Sequence, residues 1–363
     1  MSALEELLQR GIDEQVYPLA RLEVFHRGRH EISLGNADPE CVFDLASVTK
    51  VMSTTALVLD TGASLGTVVS PLPDPLPRGE RGALTRITLE DLLFHRSGLP
   101  AFLSYFEREM LAHPDLFEGP QRELREGVRR SVISRVIATP QERAVGAQSV
   151  YSDLGFILLG NWLETFTGTP LDQLFTERIA KPLGLRAGYR RISAAPEVPL
   201  LFAPTGKTRP REPAPGQEGM WKVPERPTEP AQVDDDNAWV MDGVSGHAGL
   251  FGTALDVATY GQAILEGRWA PPGGWSRDKT PGSTRAQGFD TPSAEGASCG
   301  QRFGNKRAIG HLGFTGTSLW IDLDRELVVA FLTNRVALGR ANVRIRAFRP
   351  LVHDAVLDAL KLE

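Results

Sequence analysis

Strand-like alternation sits at the two ends of this chain, with helical patterning between, and no other feature limits the fold as much. Arg21-Leu22-Glu23-Val24-Phe25 and Glu31-Ile32-Ser33-Leu34 alternate as two strands around a turn near Arg27-Gly28-Arg29. From about residue 310 the alternation returns, in Leu319 to Leu323 and Glu326 to Thr333, across a turn at Asp324-Arg325. From Leu89 to about Leu185 the pattern is mostly helical. A sheet built from both ends of a chain is discontinuous in sequence, with the middle inserted as a second lobe. Amphipathic helices close both termini. Leu4, Leu7, Leu8, Ile12 and Val16 share one face near the start; Leu351, Val352, Ala355, Val356, Ala359 and Leu360 share another near the end. Residues 1–363 then read as one domain, with a sheet lobe of about 1–60 plus 240–363 and a helical and loop lobe of about 61–239. Residues 71–82 are rich in Pro and Gly, and the eight prolines of residues 199–230 exclude regular structure there. That second stretch reads as a long surface excursion, with Met220-Trp221 favouring some docking.

Chemistry concentrates at Ser47-Val48-Thr49-Lys50. A serine hydroxyl is a weak nucleophile near neutral pH and needs a base within hydrogen-bonding reach. Residues three apart share a helix face, so Lys50 can point at the Ser47 hydroxyl. Such a lysine is useful only when neutral for part of the cycle, which burial and a proton acceptor promote. Phe43 to Ala46 can lead the chain into a core, and Val51 to Leu59 continues as an apolar helix. S-x-x-K alone is a weak signal, and a solvated helix face is its plainer reading.

Two further elements change that balance. Val150-Tyr151-Ser152-Asp153 precedes Phe156-Ile157-Leu158-Leu159, the apolar start of a buried helix, so Tyr151 and Asp153 would face a cleft between lobes. Gly310-His311-Leu312-Gly313-Phe314 leads into Leu319-Trp320-Ile321, a strand carrying His311 with Gly313 admitting a ligand close to the backbone. A core tyrosine and a strand-edge histidine are the bland readings of each.

In this order the three elements resemble the serine β-lactamase and penicillin-binding-protein superfamily, whose pattern is S-x-x-K, then Y-x-N, then K-T-G or H-x-G. The class C branch with related esterases and peptidases is most similar. Ser47 and Lys50 match the first motif, Tyr151 the second with Asp153 where Asn is usual, and His311 and Gly313 the third. Leu92 to Pro100 and Gly246-His247-Ala248-Gly249-Leu250-Phe251 are also similar to members of that group, so the match spans about residues 40–335. Related sequences often read Val-His-Asp before the Asn-Ala step, where this chain has Asp234 in place of the His. The resemblance implies an α/β (α+β) fold, an antiparallel sheet flanked by terminal helices, with an inserted helical lobe and a site at the seam. It also implies an acyl-enzyme on Ser47, Lys50 and Tyr151 sharing the proton transfers, and His311 orienting Tyr151 and substrate. The oxyanion would lie between the backbone N–H groups of Ser47 and Phe314. Neutral His311 and anionic Asp153 weaken attraction for a β-lactam carboxylate, so cell-wall peptides or amides and small esters come before antibiotics as substrates. A non-catalytic receptor that keeps the pocket is the alternative from another class.

Competing motifs carry less. Gly296-Ala297-Ser298-Cys299-Gly300 satisfies G-x-S-x-G, but its flanks supply neither the strand nor the helix of a nucleophile elbow, so it reads as a loop that could face the site. Ser152-Asp153-Leu154 echoes S-D-N, yet Leu154 cannot supply the amide. No H-E-x-x-H and no Cys/His cluster occurs, His26 and His30 flank a turn, and Asp234-Asp235-Asp236 reads as a solvated loop; neither a metal nor any other cofactor is expected. Cys41 and Cys299 imply no disulfide framework, and Cys41 reads as a small buried hydrophobe. A net charge of −5 with no basic block argues against nucleic acid, and 41% hydrophobic with 23% charged residues is ordinary for a globular chain. No secretory signal or membrane-length apolar run is visible, so a cytoplasmic location is expected for the chain as given; a removed leader would mean a periplasmic or secreted one. Oligomeric state is left open.

Overall fold

A computed structural model describes residues 1–69, 86–194, 200–205, 226, 231–271, 273–303 and 307–362. The Pro- and Gly-rich stretch at 71–82 and most of the 199–230 excursion, Met220-Trp221 included, lie outside the described residues. Ten strands are described: β1 (Ala20–His26), β2 (Arg29–Gly35), β3 (Phe43–Asp44), β4 (Gly188–Tyr189), β5 (Leu250–Gly252), β6 (Arg285–Ala286), β7 (Phe289–Asp290), β8 (Ala308–Leu312), β9 (Ser318–Asp322) and β10 (Leu327–Thr333). Seven form one antiparallel sheet in the order β2-β1-β10-β9-β8-β7-β6, so β1 and β10, from opposite ends of the chain, lie side by side. Their register pairs Leu22 with Phe331 and Val24 with Val329.

Period-two burial explains why this sheet is covered on both faces. Leu327, Val329 and Phe331 of β10 join Leu22 and Val24 of β1 under the terminal helices Ala3–Asp13 and Ile345–Ala359, beside Leu4, Leu8, Phe348 and Val352. Val328, Ala330 and Leu332 point the other way, into a larger core that takes in Val51, Leu92, Phe156, Leu159 and Tyr260. Each fully buried aliphatic or aromatic side chain there contributes roughly 1.5–3 kcal/mol of burial. The larger core is shared by the Ser47 region, the middle helices and the sheet. The antiparallel sheet, terminal helices and inserted helices agree with the expected fold class.

A second sheet, β3-β5-β4, is short and was not legible as strands. Its role is positional. Phe43 and Asp44 pair with Gly252 and Phe251, and the Leu45 N–H donates to the Leu250 carbonyl at 2.9 Å. The chain entering Ser47 is thereby held against the Gly246-to-Phe251 segment. Both cysteines are free and buried.

Candidate active site

Ser47 occupies a turn at the head of a helix that begins at Val48 and runs as a π-helix from Lys50 to Thr55, then as an α-helix from Ala56 to Asp60. The Lys50 N–H closes on the Ser47 carbonyl at 3.0 Å, and that turn brings the Lys50 Nζ to 3.0 Å from Ser47 Oγ. Ala46, just before, has φ +47°, an uncommon conformation for a residue with a Cβ. It is held there by its N–H bond to Asp44 Oδ1 at 2.8 Å. Ser47 is therefore presented on a turn fixed from behind by β3.

Lys50 is fully buried, and its ammonium is ringed by acceptors: Ser47 Oγ, the His247 carbonyl at 3.0 Å and Asp153 Oδ1 at 2.7 Å. The Tyr151 side chain lies against the same group, its ring centre 4.9 Å from the Lys50 Nζ, and its hydroxyl interacts with both Lys50 and Ser47. Burial works to lower the Lys50 pKa, but Asp153 and Tyr151 outweigh it and the net shift is upward. Lys50 therefore rests as the cation, donating toward Ser47 Oγ, which leaves the serine's own proton for Tyr151. Tyr151 is also shifted upward, by burial, with the Lys50 cation opposing and Asp153 adding to it. At rest it is a phenol lying beside an ammonium.

Asp153 begins the helix Asp153–Thr167, whose N-cap Ser152 accepts the Gly155 N–H. On β8, His311 is 3% exposed and its Nδ1 lies 2.9 Å from the Leu312 carbonyl. That geometry puts the proton on Nδ1 and leaves Nε2, which meets no protein partner, as a bare acceptor. Burial, then the Lys50 and Arg285 cations, holds His311 neutral, well below the ordinary histidine range. Its ring centre is 5.9 Å from that of Tyr151.

The β8–β9 turn is tied to the nucleophile turn by side chains. Thr315 Oγ1 donates to the Asp44 carbonyl at 2.7 Å and Thr317 Oγ1 to the Leu45 carbonyl at 3.0 Å. The backbone bonds of the described residues engage neither the Ser47 nor the Phe314 N–H, and both residues border one cavity of about 360 Å³. Gly313 has a different reason to be glycine than ligand approach. A Cβ there would lie 2.0 Å from Thr317 Oγ1 and 2.6 Å from the Leu45 carbonyl, so its need is protein packing at the join of these turns.

The cavity joins Ser47, Tyr151, Asp153, His311, Gly313 and Phe314 and adds residues that the motifs did not reveal. Arg335 and Arg349 border it at 5% and 3% exposure, and neither forms an ion pair among the described residues. Arg349 is pushed down to about 9 by burial and by Arg335. Arg285 lies 5.2 Å over the Tyr151 ring. Asp235 also borders the cavity and lies 2.9 Å from His247 Nε2, with Ser245 Oγ 2.8 Å from Nδ1. This chain steadies the peptide whose carbonyl accepts from Lys50. Gly246 is squeezed at the same place, since a Cβ would sit 2.2 Å from the Phe156 carbonyl. The Gly246-His247 pair is the signal that could have exposed this arrangement.

Two further expectations need correction. Asp234 and Asp236 are not solvated. They are 4% and 6% exposed, with Arg340 within ion-pair distance of both and Arg226 beside Asp236. Gly296 to Gly300 is a loop, but it does not face the cavity: Ala297 and Cys299 pack into the core under the terminal helices.

The family model described as Beta-lactamase matches residues 4–352, and the chain belongs to that family. A Salmonella agona (strain SL483) protein provisionally named D-alanyl-D-alanine carboxypeptidase is 29% identical over 337 residues, covering 85% of this chain and 73% of the relative. The octameric penicillin-binding protein homologue from Pyrococcus abyssi superposes with a TM-score of 0.65 at 19% identity, covering 100% of this chain and 78% of that one. EstCE1, a hydrolase with promiscuous acyltransferase activity, gives 0.62 at 23% identity, over 96% and 97%. The fold is shared with penicillin-binding-protein-like and β-lactamase-like proteins. Among the described residues, no helix is long and apolar enough to cross a membrane.

Proposed function

We propose that this chain is a serine hydrolase that transfers an acyl group through Ser47, acting on a peptide or amide of cell-wall origin that ends in a carboxylate. The observation that carries the acyl transfer is the Lys50 Nζ at 3.0 Å from Ser47 Oγ, with the Tyr151 side chain packed against the same ammonium. Ser47 Oγ attacks the substrate carbonyl and gives its proton to the Tyr151 oxygen as the phenol's own proton moves to the nitrogen of the leaving amine, whose C–N bond breaks, so that Tyr151 is a phenol before and after this relay. The Lys50 cation stabilises the phenolate character that develops on Tyr151 as its proton departs. The Ser47 and Phe314 N–H groups receive the oxyanion. Water then repeats the sequence to release the acyl group. Asp153 keeps Lys50 charged and neutralised at once, and His311 offers Nε2 as an acceptor to a substrate N–H.

Arg335 and Arg349 support the carboxylate half of the reading, since two buried guanidiniums that form no ion pair among the described residues suit an anion that arrives with substrate. The provisional name of the Salmonella relative points the same way. A small carboxylic ester is the second reading, favoured by neutral His311 and by the fold likeness to EstCE1. The test is one screen of acyl-D-alanyl-D-alanine peptides, matched peptide amides, p-nitrophenyl esters and penicillins. Release of the terminal residue from the free-acid peptide, faster than from its amide, supports the first reading. Ester turnover alone supports the second, and no turnover of any with no covalent labelling refutes both.

A further inference from the structure

Leu92 to Pro100 stands out in the sequence, yet none of its side chains borders the cavity. The reason for its composition lies one layer beneath Tyr151. His95 is 2% exposed and adopts φ +55°, a left-handed conformation that costs a residue with a Cβ about 1 kcal/mol or more. It grips both neighbours of Tyr151. Its carbonyl accepts the Val150 N–H at 2.8 Å and its Nδ1 accepts the Ser152 N–H at 3.0 Å. Its ring lies 4.8 Å from that of Tyr151 and 5.1 Å from that of Phe156.

Adjoining residues extend the same seam. The Ser149 hydroxyl donates to the Phe94 carbonyl at 2.9 Å, the Ser152 hydroxyl to the Pro100 carbonyl at 2.6 Å, and the Asp153 N–H to the Ala101 carbonyl at 2.9 Å. All of these except the Ser152 N–H bond end on a backbone carbonyl, which any side chain at position 95 would leave in place. The Ser152 N–H is buried, and among the described residues the acceptor it meets is the side chain of residue 95.

We propose that His95 is a positioning residue: its Nδ1, by accepting the Ser152 N–H, fixes the peptide after Tyr151 and so sets the phenol against Ser47 and Lys50. This rests on the reading of Tyr151 as the proton carrier. It requires the Nε2–H tautomer, because Nδ1 must be bare to accept. A phenol displaced by about 1 Å would lose up to roughly a hundredfold in turnover without losing the fold or the pocket.

Two substitutions separate the acceptor from the ring. His95→Asn keeps an acceptor near the Nδ1 position and tolerates positive φ, but removes the ring. His95→Phe keeps the ring and removes the acceptor. With a p-nitrophenyl ester as the probe, His95→Phe is expected to lose tens of fold to roughly a hundredfold in kcat with KM within about threefold, while His95→Asn recovers most of the loss. Equal activity of His95→Phe and the parent overturns the proposal, and so does a folded His95→Asn as poor as His95→Phe. Should His95→Phe fail to fold, 15N spectra of the histidine-labelled parent decide. A bare Nδ1 on His95 with a coupling to the Ser152 amide supports the proposal, and a proton on Nδ1 overturns it. A parent protein without ester turnover or covalent labelling would instead refute the hydrolase reading, leaving the spectroscopic result to stand alone.

Discussion

Replacing Asp153 by Asn leaves a fully buried ammonium without its carboxylate. The pair is separated by 2.7 Å, with the lysine side chain 0% and the aspartate 15% exposed. At an effective dielectric of about 20 the direct attraction across that distance is about 6 kcal/mol, offset by the desolvation of both ions. Removing one partner of such a pair costs about 3–5 kcal/mol, and the amide oxygen of Asn keeps one hydrogen bond, so the lower end applies. A ceiling comes from the lysine itself. It can shed its proton, which at pH 7 costs about 4.6 kcal/mol from an ordinary pKa of about 10.4. The expected loss at pH 7 is therefore between about 3 and 4.6 kcal/mol.

The pH dependence follows from the sign of the shift. In the parent the Lys50 pKa is raised, so its contribution is complete below the unfolded value and is lost only as pH rises through the higher folded value. In Asp153→Asn the largest raising influence is gone and the folded value falls below the unfolded one. The penalty is then present below about pH 10.4, grows as pH falls by about 1.4 kcal/mol per unit, and levels off below the folded pKa. Urea unfolding of the parent, Asp153→Asn and Lys50→Met/Asp153→Asn at about pH 7 and about pH 9.5 measures this. The single variant should recover most of its loss at the higher pH, and the double variant should lie near the parent at both. A loss under about 1 kcal/mol at pH 7, or one equal at the two pH values, would refute the argument.

Lys50→Ala and Tyr151→Phe should each lower turnover by roughly a hundredfold or more, and the double variant should fall well short of the product, because Lys50 acts by stabilising Tyr151 in the one proton relay that Tyr151 carries; multiplicative losses in steady-state kinetics would count against it. Arg349→Met should raise KM for a peptide ending in a free carboxylate by about tenfold or more while leaving the matched amide nearly unchanged, the scale of one charge-assisted hydrogen bond. Gly313→Ala places a Cβ 2.6 Å from the Leu45 carbonyl, and its urea midpoint should report a loss of about 1–3 kcal/mol together with reduced turnover. His353 is fully buried with its pKa pushed down to about 3 by burial and Arg349, so the unfolded chain takes up its proton first and stability falls below about pH 6.5. His353→Leu should flatten that acid slope by about 1.4 kcal/mol per pH unit, read from unfolding at about pH 5 and about pH 6.

The sheet was legible because β1 and β10 carry their apolar residues at alternate positions and pack one set against each face. Ser47, Lys50, Tyr151 and His311 were legible because local motifs place each on its own turn, helix or strand. What the motifs could not carry is what distant segments bring. Arg335 follows directly on β10, but Arg349 reaches the cavity only because the last helix returns to the sheet, and no spacing in sequence encodes that return. Asp235 and His247 lie 12 residues apart, and their link to Lys50 runs through a backbone carbonyl, to which side-chain patterns are blind. Gly313 was read for a ligand, but the nearest atoms belong to Thr317 and Leu45. Asp234 and Asp236 look solvated in sequence and become buried only because Arg340 and Arg226 meet them.

The most direct measurement is mass spectrometric mapping of a fluorophosphonate adduct on the intact parent protein and on Ser47→Ala. A single adduct on the peptide containing Ser47, absent from a folded Ser47→Ala variant, is the result expected of acyl transfer through this site. An adduct on Ser298 or Ser245, or ester turnover that persists in Ser47→Ala, would contradict it.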